Sequence, residues 1–328
     1  MASTLAPARR ITFTSVEEVE AALRQMGVDS DMRQRAPGPF RAERTSLQAE
    51  SATLHVGSYN RAFSVHLPPP TGETGLLFGR SRAGRFLASG ERVGDDALLV
   101  IPAGTNVDIV APDLTASEAI TIPEARFHES IDAICPTWNR PEEPTVVLGS
   151  AAKLGALRTE LLDVLSAPEE ERLSRLVGET IAWLGEASPR SCRFVMPADK
   201  QQIARGVHAY LLQHYAEMVR MGEVCRELGV GLRTLQRCFR EYFQISPFGY
   251  LKLLRHDQAH RELLAGHPAT HRVADVATRH GFTHLGRFAV EFRKLFGELP
   301  RETLKRRPTL SIAMPTRLAA RTACSASA

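Results

Sequence analysis

The chain has 328 residues, 43% of them hydrophobic and 24% charged, with a formal net charge of +4. That is enough chain for two globular domains, and no apolar run approaches the length that spans a bilayer. The five cysteines (Cys135, Cys192, Cys225, Cys238 and Cys324) are scattered, odd in number and free of any C-x-x-C pair, which argues against a disulfide framework or a zinc site.

The first residues, MASTLAPARRITFTS, carry two arginines but no apolar core behind them, so they do not read as a secretory signal, and a cytoplasmic protein is expected. Residues 1–12 read as a loose leader. Thr14 to Met26 reads as a helix: Ser15 and Glu18 have capping-box spacing, and Val16, Val19, Ala22, Leu23 and Met26 share one face. Asp29 to Pro39 is polar and turn-rich.

From Phe40 to Phe127 short strand-like segments alternate with Gly, Pro, Asn and Asp. They are Ala52–Tyr59, Ala62–Leu67, Gly75–Phe78, Arg85–Ala88, Ala97–Ile101, Val107–Ala111 and Glu118–Pro123. That spacing predicts an all-β sandwich or barrel. Pro68-Pro69-Pro70 must be loop or edge. The histidines of this region, His55, His66 and His128, have no paired spacing, so neither a metal nor another cofactor is expected.

Pro136 to Pro144 reads as a connector. Ser150–Leu165 and Pro168–Gly185 read as helices with leucine faces: Leu154, Leu157, Leu161, Leu162 and Leu165 on the first, Leu173, Leu176, Val177, Ile181 and Leu184 on the second. Such faces pack on the strands, on each other or on a second subunit. Ala187–Pro197 reads as a linker between domains. Asp199 is placed as the cap of a helix whose apolar face holds Ile203, Val207, Leu211 and Leu212.

Residues 199–307 hold 19 Lys and Arg against 11 Asp and Glu, and eight of the 11 histidines, while residues 1–198 are mildly acidic. Within this basic segment the same grammar occurs twice. In Met221–Phe243, Val224 and Leu228 give a short apolar face and Gly229 breaks it. A second helix follows with Leu232, Leu235, Cys238 and Phe239 inward and Arg233, Gln236, Arg237 and Arg240 outward. In Val273–Pro300, Val276 and Ala277 precede Gly281 and Phe282. Thr283 is placed as the cap of the next helix, with Leu285, Phe288, Phe292 and Phe296 inward and His284, Arg287, Arg293 and Lys294 outward. Two short helices joined at a glycine, the second basic outside, read as a helix-turn-helix. Between the copies, Ser246-Pro247 opens a helix that runs to about Leu264. Cys225 and Cys238 fall on the apolar side and read as buried thiols.

The pattern GF-x5-F-x3-F-R-x2-FG-x2-P is met by Gly281, Phe282, Phe288, Phe292, Arg293, Phe296, Gly297 and Pro300. With RTLQR-x-F at Arg233–Phe239 and ISPFGYL at Ile245–Leu251, it closely resembles the AraC/XylS transcriptional regulators. The resemblance covers about Ile203 to Lys305. Upstream, the turn–strand–turn Gly94 to Gly104 looks like that of cupin domains, without the histidine that metal-binding cupins place after it. The stretch PGPFRAERTSLQAESATLHVGSYN, leading into strands, looks like the regulators related to ethanolamine utilisation.

Together these readings give an α+β fold of two domains. Residues 1–145 form a cupin-like β-barrel, 146–188 a helical pair for packing or dimerisation, 189–198 a linker, 199–307 a double helix-turn-helix joined by a long helix, and 308–328 a disordered tail. The resemblance implies a regulator, more often an activator, and not an enzyme. Its partners are then double-stranded DNA, RNA polymerase, a small-molecule effector and a second copy of the chain, with no membrane. Arg233, Gln236, Arg237, Thr283, His284 and Arg287 are placed at base edges, and Arg240, Arg293 and Lys294 at phosphates. The alternative is a constitutive DNA-binding regulator whose barrel is purely structural or serves dimerisation.

Overall fold

The computed structural model describes residues 5–68, 72–138, 140–187 and 197–306. The expected linker lies almost wholly, and the expected tail entirely, outside them. In chain order the N-terminal region runs β1 (Arg9–Phe13), α1 (Val16–Gln25), β2 (Asp31–Gln34), β3 (Ala42–Gln48), β4 (Thr53–Tyr59), β5 (Phe63–Leu67), β6 (Glu73–Ser81), β7 (Leu87–Ala88), β8 (Glu91–Arg92), β9 (Ala97–Ile101), β10 (Val107–Ala111), β11 (Thr115–Pro123), α2 (Glu124–Ile134), β12 (Thr145–Leu148), α3 (Ala151–Ser166) and α4 (Glu170–Glu186). The strands make two antiparallel sheets, a large one ordered β1-β3-β4-β11-β6-β9-β12 and a small one ordered β2-β5-β10-β7-β8. Both are open, so the layout is two stacked sheets, the sandwich that the strand spacing allowed, and not the closed cupin-like barrel expected for residues 1–145.

Period-two alternation splits the large sheet's side chains between two cores. Leu77, Leu99 and Ile101 face inward, where they meet Met32, Phe63, Val65 and Ile109 of the small sheet and Val19 and Leu23 of α1. Leu54, Leu76, Phe78, Val100 and Ile120 face outward and are covered by α2, α3 and α4. The leucine faces of α3 and α4 are therefore buried within the chain: Leu154, Leu161, Leu173, Leu176 and Leu184 are fully buried, and Leu162 alone of the named set is exposed. β12 crosses the expected boundary at 145 and pairs with β9, so the segment that leads into the helical pair belongs to the large sheet.

Several local expectations need correction. β1 lies in the stretch read as a loose leader, and β2 in the stretch read as turn-rich; both are short edge strands. Ser15 does accept from the Glu18 backbone N–H, but the Glu18 carboxylate reaches the backbone N–H of Thr14 rather than that of Ser15.

The C-terminal region is helical: α5 (Ala198–His214), α6 (Met221–Glu227), α7 (Leu232–Phe243), α8 (Pro247–Ala265), α9 (Val273–Arg279), α10 (Leu285–Phe296) and α11 (Pro300–Lys305). Pro197, not Asp199, is the N-cap of α5. Ser246 caps α8 by accepting from the Gly249 N–H, with Pro247 in its first turn. One core gathers Ala204, Val207 and Leu211 with Val224, Leu235, Phe239 and Leu254, and takes in Leu87 and Val110 from the small sheet. The other gathers Ala259, Leu263, Val276, Ala277, Phe288, Phe292 and Leu304. Cys238 is fully buried and Cys225 partly so.

Leu232 and Leu285 are not core residues. Each is the first residue of its helix and stands 48% and 43% exposed. Replacing Phe288, 1% exposed, by Ala is expected to cost about 3–5 kcal/mol of stability, as for other buried aromatics. Leu285→Ala should fall within about 0.5 kcal/mol of the parent. Chemical denaturation of the two variants checks the pair; equal losses would return Leu285 to the core.

Candidate nucleic-acid interface

Two helix-turn-helix units stand at the two ends of α8. In the first, α6 ends at Leu228, Gly229 turns the chain with φ +64°, and α7 follows. In the second, α9 ends at His280, Gly281 turns it with φ +78°, and α10 follows. A side chain is strained at that φ, and at Gly281 a Cβ would also meet the Ala216 carbonyl oxygen at 2.9 Å. The inward positions are as expected: Val224, Leu235, Phe239, Val276, Ala277, Phe288, Phe292 and Pro300 are buried, and Leu228, Phe282 and Phe296 are partly so. Gly297 ends α10 in the left-handed region.

The residues read as outward divide by exposure. Arg233, Arg237 and Arg240 are exposed on α7 and Gln236 is half-buried. Thr283, His284, Arg287, Arg293 and Lys294 are exposed at or on α10. The cap of α10 is His284, without a side-chain hydrogen bond; Thr283 precedes it and caps nothing. Gly286 leaves open space around its Cα. The two faces differ in one respect. Arg287 donates to Glu291 at 3.0 Å, and Glu291 also holds Lys252 at 2.7 Å, so some of the second face is internally neutralised.

The basic residues that sequence reasoning missed are the ones turned inward. Arg255 donates to the carbonyls of Tyr215 (2.7 Å), Glu217 (2.6 Å) and Gly281 (3.3 Å), stapling the end of α5 to the second turn. Arg261 of α8 grips Glu20 of α1 with two bonds of 2.6 and 3.0 Å, donates to the Met32 carbonyl and pairs with Asp257. Arg33 of β2 donates to the Tyr250 hydroxyl at 3.1 Å and lies 3.6 Å from Asp257. Nothing in a residue's type separates such arginines from solvated ones.

The sheet domain also holds the last turns of both outer helices. Arg35 donates to the Phe243 carbonyl (2.6 Å), and Tyr242 donates to Asp108 (2.6 Å). Gln34 donates to the Leu295 carbonyl (2.7 Å), and the Gly38 N–H to that of Lys294 (3.0 Å). The contacts fall at the C-terminal ends of α7 and α10; the N-terminal ends, with Arg233 and Arg237 on one and His284 and Arg287 on the other, stay exposed.

One ion pair in this junction titrates. Glu17 of α1 and His260 of α8 lie 2.7 Å apart, and Glu298 is 3.8 Å from the far ring nitrogen. Burial pushes Glu17 up, but His260 outweighs it and holds the carboxyl at about 2. Burial pushes His260 down, but Glu17 and Glu298 outweigh it and raise the imidazole to about 9. Burial dominates at Asp257, which stays up at about 6 despite Arg261 and Arg33.

Residues 224–306 match a family described as a helix-turn-helix domain. The probable thc operon regulatory protein of Rhodococcus erythropolis is 37% identical over 99 residues, 30% of each chain. The XylDLEGF operon transcriptional activator 3 of Pseudomonas putida is 28% identical over 153 residues, 47% of this chain and 39% of that one. A probable AraC family regulator from Rhodopseudomonas palustris, of known structure, is 30% identical, with 33% of this chain and 99% of that chain covered and a TM-score of 0.30. The chain spans about a third of the length of the curated relatives it matches. The C-terminal region is thus a tandem helix-turn-helix domain. Its family is that of the AraC/XylS transcriptional regulators.

His260→Gln should lower stability by about 3 kcal/mol near pH 6, because it leaves Glu17 buried without its cation. A raised histidine contributes fully below its unfolded value of 6.5 and loses that contribution as pH rises through about 9. A depressed Glu17 contributes above 4.5 and loses it as pH falls through about 2. Melting curves of parent and variant should therefore lie furthest apart between pH 4.5 and 6.5 and converge above pH 9. A gap that does not change with pH would remove the ion pair from the account.

Proposed function

We propose that the chain is a transcription regulator, an activator rather than an enzyme, that reads two successive major grooves of duplex DNA and answers to a small molecule held between its two sheets. The observation that supports it best is the pair of exposed outer faces, each at the same place in a helix-turn-helix unit, on one shared rod. The nineteen residues of α8 span roughly 28 Å at 1.5 Å each, close to the roughly 34 Å of one DNA turn. In this reading Arg233, Gln236 and Arg237 meet base edges in one groove, and Thr283, His284 and Arg287 in the next. Arg240, Arg293 and Lys294 take phosphates, which position the domain without specifying sequence. Leu232 and Leu285, exposed at the leading ends of both helices, suit contact with thymine methyl groups. The activating sense follows the names of two relatives, the XylDLEGF operon activator and the RhaS activator of Escherichia coli, and makes RNA polymerase a further partner. A homodimer would need a surface other than the leucine faces of α3 and α4, which are occupied within the chain.

Control by a small molecule is favoured over a constitutive regulator by the two-sided use of α1. Val19 and Leu23 line a cavity of about 150 Å³ between the sheets. Glu17 and Glu20, on the same helix, hold α8. A ligand that shifts α1 shifts the groups that grip the rod, so cavity occupancy and the posture of the reading helices share one equilibrium.

Operator duplexes selected from a random pool, titrated by fluorescence anisotropy at several salt concentrations, test the DNA reading. Arg237→Ala should cost about 1–3 kcal/mol on the selected site and relax preference at one base pair. Arg293→Ala should weaken all duplexes alike and reduce the salt slope by about one. Unchanged binding by the first variant, or a base-specific loss in the second, would reassign those helix faces.

A further inference from the structure

The cavity between the sheets is apolar except along one row of the large sheet. Pairing of β3, β4 and β11 sets Arg44 beside Gly57 and Gly57 beside Ser117, with His55 one inward position along β4. Gly57 leaves a cradle there: a Cβ would stand 2.8 Å from the Tyr59 hydroxyl and 3.0 Å from the Ser117 hydroxyl. Arg44, His55, Tyr59 and Ser117 thus converge on a spot where the sheet has no side chain of its own, and all four line the cavity.

The charge at that spot is uncompensated. Arg44 makes a 3.0 Å contact with the His55 Nδ1 nitrogen. No carboxylate among the described residues pairs with it, and no Asp or Glu lines the cavity. Burial lowers its pKa, which the neighbouring Tyr59 only partly offsets. Burial and then Arg44 push His55 down to about 3, so the imidazole is neutral and accepts from the guanidinium. A guanidinium has five N–H donors, and at most two are turned to His55. A partly buried cation without a counter-charge is costly, and proteins remove that cost by pairing it. Further along β11, the Thr121 hydroxyl lines the same cavity, buried and without a partner.

We propose that this cavity binds a carboxylic acid with a compact apolar body, its carboxylate on Arg44 and its body among Val19, Leu23, Met32, Phe63 and Ile109. The site presents one cation beside a neutral histidine and two hydroxyls, which suits a monoanion. A dianion would bring a second charge with nothing to meet it. The planar fork of arginine takes a carboxylate through two parallel bonds. A volume of about 150 Å³ is that of a benzene-sized cavity, which limits the body to one ring or a short chain. The assignment rests on the reading of the cavity as the effector site and gives that effector a chemistry.

The full chain is titrated calorimetrically with benzoate, cyclohexanecarboxylate and hexanoate, and with the primary amide of each. At least one acid should bind, and its amide should bind 10-fold or more weakly. Arg44→Gln should erase the difference between acid and amide, while Arg44→Lys keeps some of it. Ala119→Leu, which fills the cavity from the β11 wall, should abolish acid binding with Arg44 in place. The melting temperature of each unliganded variant separates loss of binding from loss of folding. Failure of all three acids to bind, equal binding of acid and amide, or retained preference in a folded Arg44→Gln variant overturns the proposal. Acid binding at Arg44 by a chain that ignores duplex DNA at low ionic strength would uphold this site and sink the regulator reading; DNA binding with no acid binding would do the reverse.

Discussion

Burial of most of α8, with Phe248 and Lys252 left exposed near its start, is the constraint on which the arrangement depends. Tyr250, Leu251 and Leu254 at its start belong to the first helix-turn-helix core, and Ala259 and Leu263 towards its end to the second. Between them His256, Asp257 and His260, all polar, are equally buried. A helix with an apolar stripe and a solvated back is free to tilt on one partner. A helix gripped by two cores and by a buried polar stretch between them has one position. The two reading units are therefore held by a rod whose own place is over-determined, and a fixed spacing between them is a packing result.

The buried polar stretch of that rod also explains where the sheet domain attaches. Asp257 and His260 need partners once they leave water, and Arg33 and Glu17 supply them, with Arg261 and Glu20 alongside. Such groups stabilise the junction only as a complete set, because removing one leaves another charge buried alone. The same surface then takes the carbonyls at the ends of α7 and α10, groups that every helix leaves unsatisfied. The sheet domain thus touches rod and reading helices at once, and does so away from the basic faces.

Legibility in the sequence followed physical scale. Helices α7 and α10 were readable because their apolar positions recur every three or four residues and glycines punctuate them, and α8 because Ser246-Pro247 opens it. Strands β1 and β2 were not, because an edge strand of four or five residues with only one or two apolar positions makes no pattern of its own and is held by partners elsewhere in the chain, Ala42–Ser46 and Phe63–His66. Leu232 and Leu285 misled for a related reason. Periodicity assigns a face, but the first residue of a helix projects past its packing partner. Outward placement of Arg233 and Arg237 was legible. The inward roles of Arg33, Arg255 and Arg261 were not, since a guanidinium's role is decided by tertiary neighbours far away in sequence.

Arg44 belongs with those inward arginines, yet it differs from them in what surrounds it. Arg33 and Arg261 meet carboxylates, and Arg255 meets three carbonyls. Arg44 meets a neutral imidazole and the hollow above Gly57. That hollow is made by small residues on paired strands, Gly57 of β4 and Ser117 and Ala119 of β11, at inward positions where a sheet sandwich ordinarily places bulk. Small residues on neighbouring strands remove volume in one place, and a cation set at the rim gives that place a sign. The helix that closes the other side, α1, is also the helix whose carboxylates hold α8. A molecule that completes the charge of Arg44 therefore presses on an element that has a face in each half of the protein.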